Sequence, residues 1–563
     1  MKRDERIGQL IERKYEELKA IKYEGTWGEK LKGAGYVRHR HKELGTEVPE
    51  VKVYDASPKS YLLKYEDGLC GYLLPEDAEW GKLVRAGGAD KRASSSFEKS
   101  EQEALEAIGA MVFEHMTDSN FYSTNLNVGT DRDVFGIGLM YVEDGWDSGD
   151  EGVIYRCIDP MECVVGYNSR GLCEVLIRKT QKSAIDLIRD YGKRFGLEKT
   201  RTKLKGGTSE NVDCEVLEAV FPREYLYDPE TDGFVEFQGN KAFVHIVYVV
   251  EDETIVVESG YDVMPVFADV RRLEPDKMPY GEGLIEMCLP EIQKLNDLAN
   301  QREQIRQKNA NPPMYIPNSL RGRYSGKARA ENYGPAGGNE ARPSPIVTNL
   351  DSSGYTEDIE ELKRTLRNMI PVDLFETLMG STDSRKTATE VNIRKNEAMI
   401  LLAMSIGDMK RNLIEPVFKR SARILVKHMD LSNAADEGGE ERLRSHLYEL
   451  IDKSRLELDS VFIRRLQAYL QTMGDDEIVQ AMAMLVQMYP EVLDIIDMDG
   501  FLQKYFLGKG LSASFIQEKE AIEKIRNARA QIQQQQLEAQ QNQMEAKANS
   551  DNAKAEASRG EVA

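Results

Sequence analysis

Between Lys308 and Leu350 the chain carries Lys308, Arg321, Arg323, Lys327, Arg329 and Arg342, opposed only by Glu331 and Glu340. This is a local inversion, because the whole sequence holds 96 acidic and 75 basic residues, a net charge of −21. Clustered guanidinium and ammonium groups can neutralise phosphates or meet an acidic partner. The competing reading is a solvated loop that merely carries charge. A second polar run, Met379 to Lys386, holds Thr382, Ser384, Arg385 and Lys386. A chain this acidic should not grip nucleic acid over its whole surface, since affinity comes from neutralising phosphates. That argues against a repressor or a conventional DNA enzyme, but not against a conduit through which DNA slides.

Catalytic motifs find no support in the sequence. No G-x-x-x-x-G-K-[ST] occurs: Gly508-Lys509 lacks the first glycine and is followed by Gly510, which argues against a motor ATPase. Gly136-Ile137-Gly138 lacks the third glycine of a dinucleotide fingerprint and reads as part of a strand, where close packing explains it. No G-x-S-x-G is present, and Asp494, Asp497, Asp499 and Gly500 miss the EF-hand spacing. Cys70, Cys157, Cys163, Cys173, Cys214 and Cys288 form no C-x-x-C pair, so buried free thiols in a reducing cytosol are expected. The six histidines give no H-x-x-x-H or H-E-x-x-H. Neither a metal nor any other cofactor is expected, and no enzymatic role.

The 563 residues exceed what one core usually organises, and their 41% hydrophobic and 30% charged content is that of a globular chain. The apolar stretch Ile478 to Ile496 is broken by Gln480, Gln487, Pro490, Glu491 and Asp494, so no membrane span is expected. The charged start Met1-Lys2-Arg3-Asp4-Glu5-Arg6 does not read as a signal peptide.

The elements that must hold the basic segment are legible on either side of it. An amphipathic helix is expected near Ile7–Leu18, and another from Ser96 with Leu105, Ile108, Val112 and Met116 on one face. Phe121-Tyr122-Ser123 and a turn then lead into a strand from Val134 to Val142. Further strands are expected over Val153–Ile158, Cys173–Arg178, Val216–Phe221, Phe243–Val250 and Thr254–Glu258. Pro290 opens a helix with apolar positions Ile292, Leu295, Ala299 and Ile305, stopped by Asn311-Pro312-Pro313. A second helix starts at Thr356, with the stripe Ile359, Leu362, Leu366 and Met369, and ends at Pro371. Between them, Met314-Tyr315-Ile316 and Pro345-Ile346-Val347 are strand candidates for a small β subdomain at the tip of a helix pair. Thr387-Ala388-Thr389-Glu390 is a capping box, and its helix should kink near Pro416. Helical patterns run on to about 506, with a polar break at Ala434–Glu440. The Gln-rich stretch from Ser514 is a marginal helix unless neighbouring copies surround it.

The segment Met264-Pro265-Val266, Arg271-Arg272, Pro279-Tyr280-Gly281-Glu282-Gly283, Leu289-Pro290-Glu291-Ile292, Leu295-Asn296 and Asn311-Pro312-Pro313 resembles the portal family of short-tailed, podovirus-type phages. The resemblance extends to Thr387-Ala388-Thr389-Glu390-Val391 with Arg394 and Glu397, and to Met498-Asp499-Gly500, Gly508 and the Gln-rich tail. Upstream it takes in Asp118-Ser119-Asn120-Phe121-Tyr122, Asp131, Val134, Phe135 and Gly136. It covers most of residues 97–545, and no motif is recognised in residues 1–96.

The resemblance implies an α+β, mainly helical subunit of a ring, usually a dodecamer, with wing, stem, clip and crown regions. On this sequence, 1–96 would be wing periphery, 97–284 the α+β wing, 285–310 and 355–371 the stem helices, and 311–354 the clip. Residues 372–390 would hold the tunnel loop, 391–444 a long kinked wing helix, 445–512 the crown, and 513–563 a C-terminal helix able to form a barrel. Arg385, Lys386, Ser384 and Thr382 would then face the DNA channel. Arg321, Arg323, Lys327, Arg329 and Arg342 would meet DNA or a docking partner. Implied partners are further copies of the chain, double-stranded DNA, the terminase large subunit, major capsid and scaffolding proteins, and a tail adaptor. The implied location is the virion, at the capsid portal vertex, after assembly in the host cytoplasm. An internal scaffolding or tail-adaptor protein without a DNA channel, or a nuclease acting on packaged DNA, are the alternatives from other classes.

Overall fold

The computed structural model describes residues 3–37, 51–85, 96–316, 344–345, 353–372, 406–430, 439–459 and 463, with short breaks at 196, 207–211, 230–231, 275–277 and 313. The chain divides into two compact units, Met1–Ile463 and Arg464–Ala563, and every described residue belongs to the first.

In chain order, helices α1 (Arg3–Glu24), α2 (Trp27–Val37) and α3 (Ser57–Leu73) precede strand β1 (Gly81–Arg85). Helices α4 (Ser96–Asp118) and α5 (Phe121–Phe135), strand β2 (Ile137–Asp144), the single turn α6 (Gly145–Ser148) and strands β3 (Val153–Ile158), β4 (Cys163–Tyr167) and β5 (Cys173–Ser183) follow. Next come α7 (Ala184–Phe195), α8 (Glu198–Gly206), β6 (Asp213–Pro222), β7 (Tyr227–Asp228), β8 (Gly233–Phe234), β9 (Phe243–Val249), β10 (Thr254–Tyr261) and β11 (Val266–Val270). Then α9 (Leu284–Met287), α10 (Leu289–Ala310), β12 (Met314–Tyr315), β13 (Ser344–Pro345), α11 (Ser353–Met369), α12 (Glu415–His428), α13 (Glu440–Lys453) and β14 (Ser454–Leu458) complete the described part. The class is α+β.

Two antiparallel sheets form the centre: β10-β9-β6-β5-β4, and β11-β2-β3. Successive side chains on a strand point to opposite faces. In the larger sheet Leu217, Ala219 and Phe221 of β6 join one core with Ile246 and Tyr248 of β9, whereas Val216 packs with Val247 and Val249 in another. Helix α1 covers the first face through Ile7, Ile11 and Tyr15, and α7 covers the second through Ala184 and Leu187. Gly8 lets α1 approach this closely, because an added Cβ would stand 2.1 Å from the Tyr248 ring. Residues 3–37 are therefore part of the core. Lys22, also buried, donates to the carbonyls of Pro160 (2.6 Å) and Cys163 (2.8 Å) and lies 3.9 Å over the Trp27 ring. Burial pushes its ammonium down to about 8.

Strand β2 is buried on both faces, between α5 and α12. Trp80, Phe113, Phe121 and Phe418 form one aromatic cluster, with Trp80 to Phe113 at 4.9 Å and Trp80 to Phe418 at 5.9 Å. Arg420 donates to Val142 O at 2.8 Å, and Tyr155 shares a 2.8 Å hydrogen bond with Ser421. Helix α12 is thus bonded into the first half of the chain.

Phe121–Phe135 is a helix and not a turn entering a strand; it ends at Gly136, whose φ of 82° is the left-handed conformation that suits glycine. Gly138 does lie in a strand, and close packing explains it: a Cβ there would stand 2.1 Å from Val128 O. The helix through Pro416 does not run to 444, because α12 stops at His428 and α13 begins at Glu440, so the expected boundary at 444/445 falls inside a helix. Nor is the pattern helical throughout to 506, since Ser454–Leu458 is a strand paired antiparallel with β1. The irregularity near Pro416 is a π-helical turn, Lys410–Ile414, just before it. A proline donates no N–H to the carbonyl four residues back, which relaxes the ladder there.

Candidate functional site

The feature that holds the basic segment is the helix pair α10–α11. Pro290 lies in the first turn of α10, and the helix spans 22 residues, ~33 Å at ~1.5 Å per residue. Its C-terminal turn closes with Asn311 N–H donating to Gln307 O at 2.8 Å. Beyond it, Met314 and Tyr315 of β12 pair antiparallel with Pro345 and Ser344 of β13. This ladder turns the chain back, so that α11 returns along α10. The first strand candidate of the sequence thus meets the start of the second at Pro345, and residues 317–343 between the two strands lie outside the described residues.

Burial divides the pair into a root and an outer half. In α10 the buried residues are Leu289, Ile292, Leu295, Asn296 and Ala299; in α11 they are Ile359 and Leu366, followed by Ile370 and Val372. From Asn300 to Ala310, and from Ser353 to Asp358, no side chain is buried. Ile305, read from sequence as part of the apolar stripe, is only half-buried.

The root is clamped by an irregular strap, Val51–Ala56, in which half-buried and exposed residues alternate from Val51 to Tyr54. The buried Asn296 side chain reads it as a neighbouring strand would: Oδ1 accepts from Tyr54 N–H at 2.7 Å and Nδ2 donates to Lys52 O at 3.0 Å. Asp55 accepts from Ser57 N–H at 2.9 Å and pairs with Lys363 of α11 at 3.1 Å. Against the opposing effect of burial, hydrogen bonds from Ser57 and Lys363 hold the Asp55 carboxyl below its ordinary value. Arg367 lies 5.9 Å over the Tyr61 ring. The strap therefore touches both helices.

From the strap the chain enters α3, whose Glu66 is fully buried beside Asp133 and Arg132 of α5 and Asp269 of β11. Arg132 donates to Glu66 (3.3 Å), Asp133 (3.3 Å) and Asp269 (3.1 Å), and Arg271 lies 3.5 Å from Asp133. Burial, then the charge of Asp133 and the hydrogen bond with it, raise Glu66 well above its ordinary value, whereas Arg132 and the proton of Glu66 hold Asp133 down despite burial. Burial raises Asp269 as well, against the pull of Arg132, so two guanidinium groups stand among three buried carboxyl groups.

Two other polar groupings hold charges that are already paired. Asp144, Asp147 and His428 offer ligand atoms within 4.8 Å of one another, but the Lys427 ammonium lies 2.7 Å from Asp144 and 3.1 Å from Asp147, where a cation would sit. Between the two large sheets a cavity of about 390 Å³ is lined by Tyr141, Arg156, Cys157, Ile158, Arg178 and Glu218. Its arginines are bound to Glu143 (2.9 Å) and Glu162 (2.9 Å), and Glu218 to His245 (3.3 Å). The six cysteines are free thiols; burial pushes Cys163 up to about 11, and Cys173 and Cys288 up to about 12.

Arg321, Arg323, Lys327, Arg329 and Arg342 lie outside the described residues, between β12 and β13 in the sequence. Thr382, Ser384, Arg385 and Lys386 are also outside, between Val372 and Ile406, as are the capping box Thr387–Glu390 and the Gln-rich tail. Sequence reasoning missed the strap and the role of Asn296. The available signal was an amide on the face that also carries Ile292, Leu295 and Ala299, since a buried amide needs partners.

The family model for bacteriophage head-to-tail connecting proteins matches residues 11–516. The chain is 22% identical over 436 residues to the portal protein of Salmonella phage epsilon15, a match covering 76% of this chain and 74% of that protein. It is 24% identical over 401 residues to a probable portal protein of Bordetella phage BPP-1, covering 68% and 67% respectively. With a helix pair joined through a basic stretch of sequence, and a family match over most of its length, the chain belongs to the bacteriophage head-to-tail connecting proteins, the phage portal family.

Proposed function

We propose that copies of this chain close into a ring at one capsid vertex, forming the channel through which DNA enters during packaging and leaves at ejection. The observation that carries this reading is the outer half of α10–α11, where no side chain is buried within the chain from Asn300 to Ala310 or from Ser353 to Asp358. Half-buried Ile305 and Tyr355 in that outer half are covered when neighbouring copies stand beside the hairpin. Such a subunit would have a structural, non-enzymatic role.

In this reading α10 and α11 are the stem, and the basic excursion 311–354 is the clip that docks first the packaging motor, through the terminase large subunit, and later a tail adaptor. Residues 97–284 and the helices after 390 form the wing against capsid and scaffolding proteins, and the crown follows them in the chain. Acidic groups around the channel discourage DNA from sticking, while a ring of Arg385 and Lys386 guides it. A scaffolding protein of mostly extended helix fits a chain with a five-stranded sheet poorly.

The test is the double reversal Arg385→Glu with Lys386→Glu in the full chain, assayed in a packaging system. Rings should form as before while packaged or retained DNA drops. Unchanged packaging would remove these residues from the channel.

A further inference from the structure

Outside its root, the helix pair is charged asymmetrically. The outer half of α10 carries Arg302, Arg306 and Lys308 against Glu303 alone, whereas α11 opens with Glu357, Asp358, Glu360 and Glu361 and no basic residue before Lys363. Among the described residues, Arg302, Arg306, Lys308, Glu357, Asp358 and Glu360 have no ion-pair partner within the chain, although basic and acidic helices lie side by side. The ordinary explanation for acidic residues early in a helix and basic ones late is the helix dipole, which acts within the first and last turn. It covers Lys308, but the first turn of α11 holds no acidic residue, and Arg302 and Arg306 precede the last turn of α10. Arg302 and Arg306 are four residues apart, as are Glu357 and Glu361, so each pair forms a stripe on one helix face.

We infer that the outer halves of the helix pairs meet head to tail, the Arg302–Arg306 stripe of one copy lying against the Glu357–Glu361 stripe of the next. The inference rests on the ring reading and names the contact that gives the ring its direction. A heterologous contact uses two different surfaces of each copy and closes when its rotation divides the circle. One positive and one negative flank fulfil that requirement, and oppose the face-to-face dimer that would bring like charges together.

Two variants of the full chain test this: one with Arg302→Glu and Arg306→Glu, whose flanks are both acidic, and one with Glu357→Lys and Glu361→Lys, whose flanks are both basic. Ring population is read by native mass spectrometry at low salt, and folding of each variant by its thermal unfolding curve. Each variant alone should weaken assembly by about thirtyfold per contact, two attractive pairs becoming repulsive. An equimolar mixture should recover rings of alternating composition, because every contact is again between opposite charges. Recovery by mixing requires pairing between copies and cannot come from α10 pairing with α11 of the same chain. Undiminished rings from either variant alone would overturn the inference, as would folded variants that fail to recover on mixing. An unmodified chain that forms no ring would instead overturn the reading beneath it.

Discussion

Asn296 is the place where a single side chain joins the root of the helix pair to the N-terminal segment, and Asn296→Leu is the perturbation that isolates it. Leucine keeps nearly the same volume on a buried face, so the main loss is two hydrogen bonds, from Tyr54 N–H at 2.7 Å and to Lys52 O at 3.0 Å. An unsatisfied buried backbone group costs ~1–3 kcal/mol, and the strap is partly exposed, so the low end applies to each. The sum is about 2 kcal/mol, a factor of roughly thirty in the local opening equilibrium. Amide hydrogen exchange reads this directly, since Tyr54 N–H is itself the donor. Its protection should fall about thirtyfold while amides of β6 and β9 keep theirs. Asn296→Asp should be worse than Leu, because it places a carboxylate against the Lys52 carbonyl. Unchanged Tyr54 protection in Asn296→Leu would mean that the strap is held without the amide and that Asn296 does not couple it to the helix pair.

Two further perturbations probe the frame that carries the strap. Glu66 has a folded-state pKa above its unfolded value, so its contribution is fully present below the unfolded value near ~4.3 and is lost as pH rises through the folded one. The melting temperature of the native chain should therefore decline on that rise, and Glu66→Gln should flatten the decline; an unaltered pH profile would refute the upward shift of Glu66. Arg132→Met leaves buried Asp133 and Asp269 without their shared cation and should cost ~3–5 kcal/mol in denaturant unfolding. Gly8→Ala drives a methyl into the Tyr248 ring and should destabilise by ~1–3 kcal/mol through overpacking; a neutral result would mean that α1 does not sit this closely on the sheet.

The legible parts of the sequence are those where one face of an element is buried. Leu105, Ile108, Val112 and Met116 of α4 are all buried as their spacing implied, and β3 spans Val153–Ile158 as expected. Helix α5 was illegible for the opposite reason. Its buried positions mix polar Thr124, Asn125, Asp131, Arg132 and Asp133 with Phe121, Val128, Val134 and Phe135, so no apolar stripe marks it, and Asp131, Arg132 and Asp133 read as a turn. Strand β14 has the alternation of a half-buried strand in Leu456 and Leu458, but its partner β1 lies at the far end of the unit, beyond any local pattern. Of the site, the helix pair and the two tip strands were readable from Pro290, Asn311-Pro312-Pro313 and the short apolar runs. The strap was not, because Lys52 and Tyr54 are read through their backbone groups, which every residue shares.

The central claim is that α10–α11 completes its packing only among copies arranged around an axis. Electron microscopy of the purified full chain over a dilution series tests it most directly. The account predicts annular particles with a central hole wide enough for a DNA duplex. A folded monomer at every concentration, with no annular species, would contradict it.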